Sequence, residues 1–360
     1  MIASRLKVLA ATGACLLLAS CAQTGPPLPP SLELPKAPTD LRAVRKGNVV
    51  TLTWSEPTRT TDRQSVRYLG PTNICRSMES EMKECGNPVG ELPAPAKATQ
   101  PSAVGQANVY RDTLPAAVLA NNPTGDVAYA VEVLNRDRRA AGLSNRALVP
   151  ALPILPPPSD FQAELASGGV NFVWTSAGGT AIPTGVQLRY RIYRREDSTA
   201  KDAVAIELPV GDAGPARAQD TNFEWEKTYL YRITAVSIGM RPGGDAQVEG
   251  DDSPEVRVVA HDVFPPSVPS GVQAVFSGDS QKPFIDLIWA PATDADLAGY
   301  NIYRHEEGGA ATKINAELVK SPSYRDDVVA SGRKYIYSIS SQDVRGNESA
   351  RSEEASETVP

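Results

Sequence analysis

The sequence predicts an all-β chain, a tandem array of three small sandwich domains behind an N-terminal targeting segment. Three observations carry that prediction. Three segments alternate apolar and polar residues and each closes on a tryptophan: Val50, Leu52 and Trp54; Val170, Phe172 and Trp174; Ile285, Leu287 and Trp289. On a strand every second side chain shares a face, so each triplet is one apolar face ending in an indole. The tryptophans recur at intervals of about 115 to 120 residues, the size of a small all-β domain and too long for a solenoid repeat. Proline runs stand between the repeats: PPLPP near residue 28, LPILPPP at 152–158 and FPPSVP at 264–269. Proline donates nothing to a sheet ladder and favours polyproline II geometry, so these runs read as semi-rigid spacers at domain boundaries.

Within each repeat the elements follow one order. The openings PTDLRAV (Pro38 to Val44), PSDFQAE (Pro158 to Glu164) and PSGVQAV (Pro269 to Val275) align, and each leads through a glycine-containing turn to its tryptophan strand. A second strand follows a polar loop and reads TNICR (Thr72 to Arg76), YRIYR (Tyr190 to Arg194) and YNIYR (Tyr300 to Arg304). Period-two alternation puts Ile74, Ile192 and Ile302 on the apolar face, so Cys75 points away from it. Farther on come Asp112, Gln219-Asp220 and Asp326, each followed by a late strand that starts near Val127, Tyr229 or Tyr335. The first repeat is enlarged between its aspartate and its late strand. It is also enlarged between Gly86 and Asn108, where Pro88, Pro93, Pro95 and Pro101 argue for an irregular excursion. The second repeat carries a long turn from Gly239 to Pro254, with Met240, Glu249, Asp251 and Asp252, whose length suggests mobility or a partner contact.

These features together resemble fibronectin type III modules, immunoglobulin-like sandwiches of seven short strands. The second-strand tryptophan of that family is matched by Trp54, Trp174 and Trp289, and its tyrosine corner by Tyr229 and Tyr335, with Val127 in that place in the first repeat. Asp343-Val-Arg-Gly346-Asn347-Glu348-Ser349 is similar to the D-x-x-G-N-E-S turn of bacterial modules. The resemblance implies domains at 38–150, 158–260 and 265–360. It speaks to fold and is nearly silent on function, because such sandwiches host unrelated activities.

The first twenty residues read as a signal peptide: Arg5 and Lys7 precede an apolar core from Val8 to Leu18 that is too short to be a spanning helix. Leu18-Ala19-Ser20-Cys21 resembles the bacterial lipobox, which implies cleavage before Cys21 and acylation of its sulfur and new amino group. Several acyl chains, palmitate among them, make a stable anchor where one would be marginal. Residues 21–37 then form a proline-rich tether. Its start partly resembles that of a small outer-membrane lipoprotein of the lipopolysaccharide transport machinery, though it lacks that protein's glycine and lysine. Ala22, in place of an inner-membrane retention aspartate, points to the outer membrane. With Cys15 removed and Cys21 lipidated, Cys75 and Cys85 are the exported pair, and an oxidising compartment favours their bridging. Neither CxxC spacing nor a neighbouring histidine supports a redox or metal role for them.

A net charge of −6 gives no global electrostatic reason to bind nucleic acid, and none is expected as a partner. The two histidines, His261 and His305, lack metal-ligand spacing, and no nucleophile has a base to serve it. No cofactor motif occurs. The expectation is a non-catalytic, lipid-anchored envelope protein, a binding or spacer module with a protein or polysaccharide partner. A structural factor in outer-membrane biogenesis and an accessory module for polysaccharide handling are the alternatives. Two loop clusters are candidate sites. Arg59, Arg63 and Arg67 follow the first tryptophan strand, and Arg136, Arg138 and Arg139 follow the late strand of the same repeat. In the resembled fold these loops share one end and form a basic patch near the tether, with Asp62 and Asp137 as local counter-charges. In the third repeat the corresponding loops carry Asp294 and Asp296, then Asp343, Asn347 and Glu348, an oxygen-rich set suited to calcium. Each of these five residues is also at home in an ordinary turn.

Overall fold

The computed structural model describes residues 32–95, 107–178, 182–199, 201–241, 244–279 and 281–360. The signal peptide, Cys21 and most of the tether lie outside the described residues, as does 96–106 within the proline-rich excursion. The chain separates into two compact units that meet between Ala151 and Leu152. It is all-β, an array of immunoglobulin-like sandwiches, with one main core in the first unit and two in the second.

The first unit holds β1 (Arg42–Lys46), β2 (Val49–Ser55), β3 (Thr72–Ser77), β4 (Gly90–Leu92), β5 (Ala107–Thr113), β6 (Asp126–Val133) and β7 (Ala147–Pro150). β2 pairs β1 and β5 to make one antiparallel sheet. β3 and β6 are the centre of the other, flanked by β4 and β7. Val50, Leu52, Trp54 and Ile74 are buried between them with Val127, Tyr129 and Val131. The excursion from Gly86 to Asn108 is corrected here: β4 lies inside it, because Pro88 and Pro93 bracket that strand without interrupting its ladder. The insertion before the late strand contains a short helix, α1 (Ala116–Asn121), which buries Leu119.

The second unit begins with β8 (Ser159–Ala166), β9 (Gly169–Ser176), β10 (Val186–Glu196), β11 (Ala203–Pro209), β12 (Gly214–Asp220), β13 (Lys227–Gly239), β14 (Ala246–Asp252) and β15 (Val256–Ala260). β12-β9-β8 is one sheet, and β10 and β13 are the centre of the facing one. The expected long turn from Gly239 to Pro254 is a hairpin arm instead. β14 pairs back onto β13, with Gly239 opposite Ala246. β13 is buried throughout this stretch, Val236 and Ile238 included, and Val248 is buried on β14, while the acidic residues of β14 find arginines. Glu249 accepts from Arg191 at 3.0 Å and Asp252 from Arg232 at 2.5 Å. The third sandwich comprises β16 (Ser270–Phe276), β17 (Ile285–Ala290), β18 (Leu297–Glu306), β19 (Thr312–Lys313), β20 (Ser323–Asp326), β21 (Lys334–Asp343) and β22 (Ala355–Thr358). Its two sheets run β16-β17-β20 and β19-β18-β21-β22.

All three strand tryptophans are buried. Trp174 and Trp289 meet the edges of Tyr190 and Tyr300, with ring centroids 5.5 Å and 5.1 Å apart. A polar device also repeats in each sandwich. The arginine that ends TNICR, YRIYR or YNIYR pairs with the aspartate of the fifth strand, which also accepts from a tyrosine of the late strand. Arg76, Arg194 and Arg304 lie 2.6, 2.8 and 2.7 Å from Asp112, Asp220 and Asp326. The hydroxyls of Tyr129, Tyr231 and Tyr337 donate to the same carboxylates at 2.6, 3.1 and 2.8 Å. Each buried charge is thus paired and hydrogen-bonded, the condition under which burying it is tolerable. Burial, and then the adjoining carboxylate, push all three phenols well above their ordinary range. The tyrosine corner is present where a tyrosine is available: Glu224 N donates to the Tyr229 hydroxyl at 3.1 Å and Ala330 N to that of Tyr335 at 3.0 Å.

Cys75 and Cys85 form a disulfide with their Cα atoms 5.2 Å apart, within the usual range. Cys75 faces away from the main core that Ile74 enters and packs instead with Met82, Ala128 and Ala130.

Candidate functional site

Two side-chain constellations among the described residues bear on the candidate sites. The first lies in the second unit, at the junction between its two sandwiches. β15 ends at Ala260 and the chain passes through His261 and Asp262 into the proline-rich linker. The loop between β17 and β18 supplies Asp296, and the end of β21 supplies Asp343. Carboxylate oxygens of Asp262, Asp296 and Asp343 all lie within 4.8 Å of one another. Asp262 and Asp343 retain only 4 % and 2 % of their exposure, so the mutual repulsion is poorly screened by water.

The cluster is held by its own turn chemistry. Asp343 Oδ1 accepts from the backbone of Arg345 at 2.8 Å and of Asn347 at 2.9 Å, and Oδ2 accepts from Asn347 Nδ2 at 2.8 Å. Burial would raise this carboxyl, but these bonds outweigh it and hold Asp343 below its ordinary range. Asp296 has no such set of donors. Burial raises it, a backbone bond opposes the rise, and the charges of Asp262, Asp343 and Asp294 add to it. Asn347 Nδ2 also reaches the Asp262 carbonyl at 3.1 Å, and Val344 N donates to the Asp296 carbonyl at 3.0 Å, so both approaching segments are tied to one turn. Arg345 supplies the counter-charge. Its Nε stands 3.4 Å from Asp262 Oδ2, while its Nη1 bonds Glu226 at 2.9 Å on the preceding sandwich. Glu226 in turn meets His261 Nδ1 at 2.7 Å and accepts from Asp262 N at 3.2 Å, and these contacts keep its carboxyl below the ordinary range. Chemically, three converging carboxylates offer hard oxygen ligands to a divalent cation, and a guanidinium already serves part of that role.

The five oxygen-bearing residues expected from sequence are brought together in part. Asp296 and Asp343 converge. Asp294 turns to Ser267, accepting from its backbone at 3.0 Å and its hydroxyl at 2.5 Å. Glu348 accepts from Tyr303 at 2.6 Å and from the Ser340 hydroxyl, on the neighbouring strands. Asn347 takes part through its amide nitrogen, a donor and not a ligand. Asp262, Glu226 and Arg345 were absent from the sequence expectation. No motif or spacing marks them, because their proximity is made by packing across two sandwiches.

The second constellation is in the first unit. Arg59, Arg63, Arg67, Arg136, Arg138 and Arg139 are all exposed. Their two loops are joined at the root, where Gly70 N donates to the Leu134 carbonyl at 2.8 Å and Leu134 N to that of Pro71 at 3.0 Å. Asn135 Oδ1 then accepts from the backbones of Asp137 and Arg139 at 2.9 and 2.8 Å, an Asx-type turn that splays the arginines outward. Arg63 and Arg138 take left-handed backbone at φ 67° and 56°, unusual for side chains of this size. Arg138 pairs with Glu91 at 2.8 Å, Arg59 bonds the Arg63 carbonyl at 3.1 Å, and Arg136 lies 6.0 Å above the ring of Tyr68. No salt bridge to Arg63, Arg67 or Arg139 occurs among the described residues. The expected counter-charge Asp62 accepts from the Thr60 hydroxyl.

No family model matches the chain. An amylopullulanase of Thermoanaerobacterium saccharolyticum is 44% identical over 128 residues, 35% of this chain and 9% of that protein. One from Thermoanaerobacterium thermosulfurigenes is 42% identical over 95 residues, 26% of this chain and 5% of that protein. The chain thus spans less than a tenth of the curated relatives it matches. Among solved structures, an Fn3-like protein from Clostridium thermocellum is 35% identical, with 26% of this chain and 94% of that one covered and a TM-score of 0.23. The FN1–FN3 domains of chicken CNTN1 are 15% identical, with 91% and 100% covered and a TM-score of 0.25. By its own sheet orders, buried tryptophans and the tyrosine corners of its second and third sandwiches, the chain is an all-β tandem array of fibronectin type III-like sandwiches.

Proposed function

We propose that this chain is a non-catalytic, lipid-anchored envelope protein whose fibronectin type III-like domains act as a binding or spacer module. The observation that carries this reading is the shape of its sequence likeness: 44% identity confined to 9% of a much larger protein is what a shared module produces, not a shared active site. The buried charges support it, since the repeated Arg-Asp-Tyr groups are closed within each sandwich and offer nothing to a substrate. Cys21 carries the lipid and holds the array at the outer membrane.

A second reading, an accessory module for α-glucan handling beside a catalytic partner, is favoured by the names of the relatives, both amylopullulanases. Affinity electrophoresis separates the two. Retardation of the purified chain in gels containing pullulan or amylopectin selects the glucan-binding module, and unchanged mobility selects the spacer. Release of reducing sugar from pullulan by the purified chain would overturn the non-catalytic reading. Labelled palmitate that enters the protein in cells, but not a Cys21→Ala variant, tests the anchor; no label in the parent excludes it.

A further inference from the structure

The last residues of the tether are described, and they lie against the arginine-bearing loops. Leu32 gives its carbonyl to Asn135 Nδ2 at 2.9 Å. Thr61 N donates to the Leu34 carbonyl and Lys36 N to that of Arg59, both at 2.9 Å, while Pro35 bridges to Thr60. The chain therefore leaves the first sandwich at the end that carries Arg59, Arg63, Arg67, Arg136, Arg138 and Arg139. From Leu32 back to Cys21 there are only eleven residues, which span at most about 40 Å when fully extended. An acylated Cys21 would hold this end of the domain within about 40 Å of the bilayer.

The surface at that end has the chemistry of a membrane contact. Six exposed arginines and Lys36 stand beside Glu33, Asp40, Glu56, Asp62, Glu91 and Asp137, so the positive groups outnumber the negative by one at this end of a chain whose net charge is −6. Between the two loops stands Tyr68, 58 % exposed, with Leu32 equally exposed beside it. Aromatic rings with a polar tip and aliphatic-stemmed arginines are the side chains that settle at a lipid headgroup layer.

We infer that this arginine-rich end of the first domain seats on the anionic phosphate headgroups of the lipid bilayer, making a second, electrostatic attachment beside the Cys21 lipid. The inference rests on the lipid-anchored reading for its orientation, while the attachment itself is a property of the folded domain. One acyl-bearing residue fixes position, and the basic end fixes the attitude of the first domain.

The test uses the chain from Ala22 to Pro360, which keeps every described residue and has no lipid, so its outcome is independent of acylation. It is sedimented with vesicles of phosphatidylcholine alone and of phosphatidylcholine with phosphatidylglycerol. Binding to the second and not the first, lost as salt rises beyond physiological strength, is the expected result. The variant R59E/R67E/R139E should bind roughly tenfold or more weakly at an unchanged melting temperature. A control with an equal charge change in the second unit, K201E/R217E/K334E, should bind like the parent. Equal binding to both vesicles, no binding, equal loss in both variants, or full displacement by millimolar inorganic phosphate would each overturn the inference. Absence of palmitate on Cys21 would sink the anchor alone and leave this vesicle result standing.

Discussion

Tyr337 and Asp326 lie eleven residues apart in sequence and meet at 2.8 Å, with Arg304 pairing the same carboxylate oxygen at 2.7 Å. The late strand β21 and the fifth strand β20 belong to opposite sheets, so this contact crosses the sandwich. Removing the hydroxyl keeps the ring and its packing. Tyr337→Phe should therefore cost about 1.5 to 3 kcal/mol, the range for a hydrogen bond to a charged group. Calorimetry of the full chain should show one transition moving down, with the others unmoved. An unshifted thermogram would mean that the Arg304–Asp326 pair alone satisfies the site.

The same network sets an alkaline limit. The phenols of Tyr129, Tyr231 and Tyr337 are raised in the folded state, first by burial and then by the neighbouring aspartate. Above the ordinary tyrosine value near 10, the unfolded chain loses these protons and the folded chain keeps them. Stability is therefore fully present below that pH and falls as pH rises, by up to about 1.4 kcal/mol per unit for each tyrosine. Phenolate absorbance of these three should appear only with unfolding. Its appearance in the native protein near pH 10 would show that they are not sealed.

At Asp296 the sign is the reverse of the usual carboxylate. Its folded pKa is raised, first by burial, with the charges of Asp262, Asp343 and Asp294 adding, so the charged form destabilises the fold at neutral pH. In the presence of a chelator Asp296→Asn should melt above the parent at pH 7, and the gain should fade as pH falls through the folded pKa and the parent protonates. Millimolar calcium that raises the parent and not the variant would assign the three carboxylates to a cation. Calcium that moves neither would leave the cluster to turn chemistry and Arg345.

The Cys75–Cys85 bridge closes a short loop between β3 and the segment before β4. In the chain-entropy picture such a ring contributes about 3 kcal/mol by restricting the unfolded chain. The double variant C75S/C85S should lower the first unit's melting by that amount while both units remain folded. A parent whose melting is indifferent to reductant would place the stabilisation elsewhere.

How much of this could be read from sequence follows from the range of each interaction. The strand faces of Val50-Leu52-Trp54 and its two counterparts, the tyrosine corners, the absent corner at Val127 and the away-facing Cys75 are all set by local alternation, which one chain displays without its partner strands. The misjudged segments are those whose fate depends on a partner. Glu249 and Asp252 look like an acidic loop until Arg191 and Arg232 meet them from other strands of the same sheet, and Gly90 to Leu92 looks irregular until β3 offers its edge. Sequence could nominate Asp296 and Asp343 because two loops of one sandwich emerge together. Only tertiary structure could bring Asp262, Glu226 and Arg345 to them, since a contact between sandwiches leaves no period along the chain. Nor could sequence tell that Leu32 to Lys36 fold back against the arginine loops, because the tether enters those hydrogen bonds through its backbone N–H and C=O groups, which do not distinguish one residue type from another.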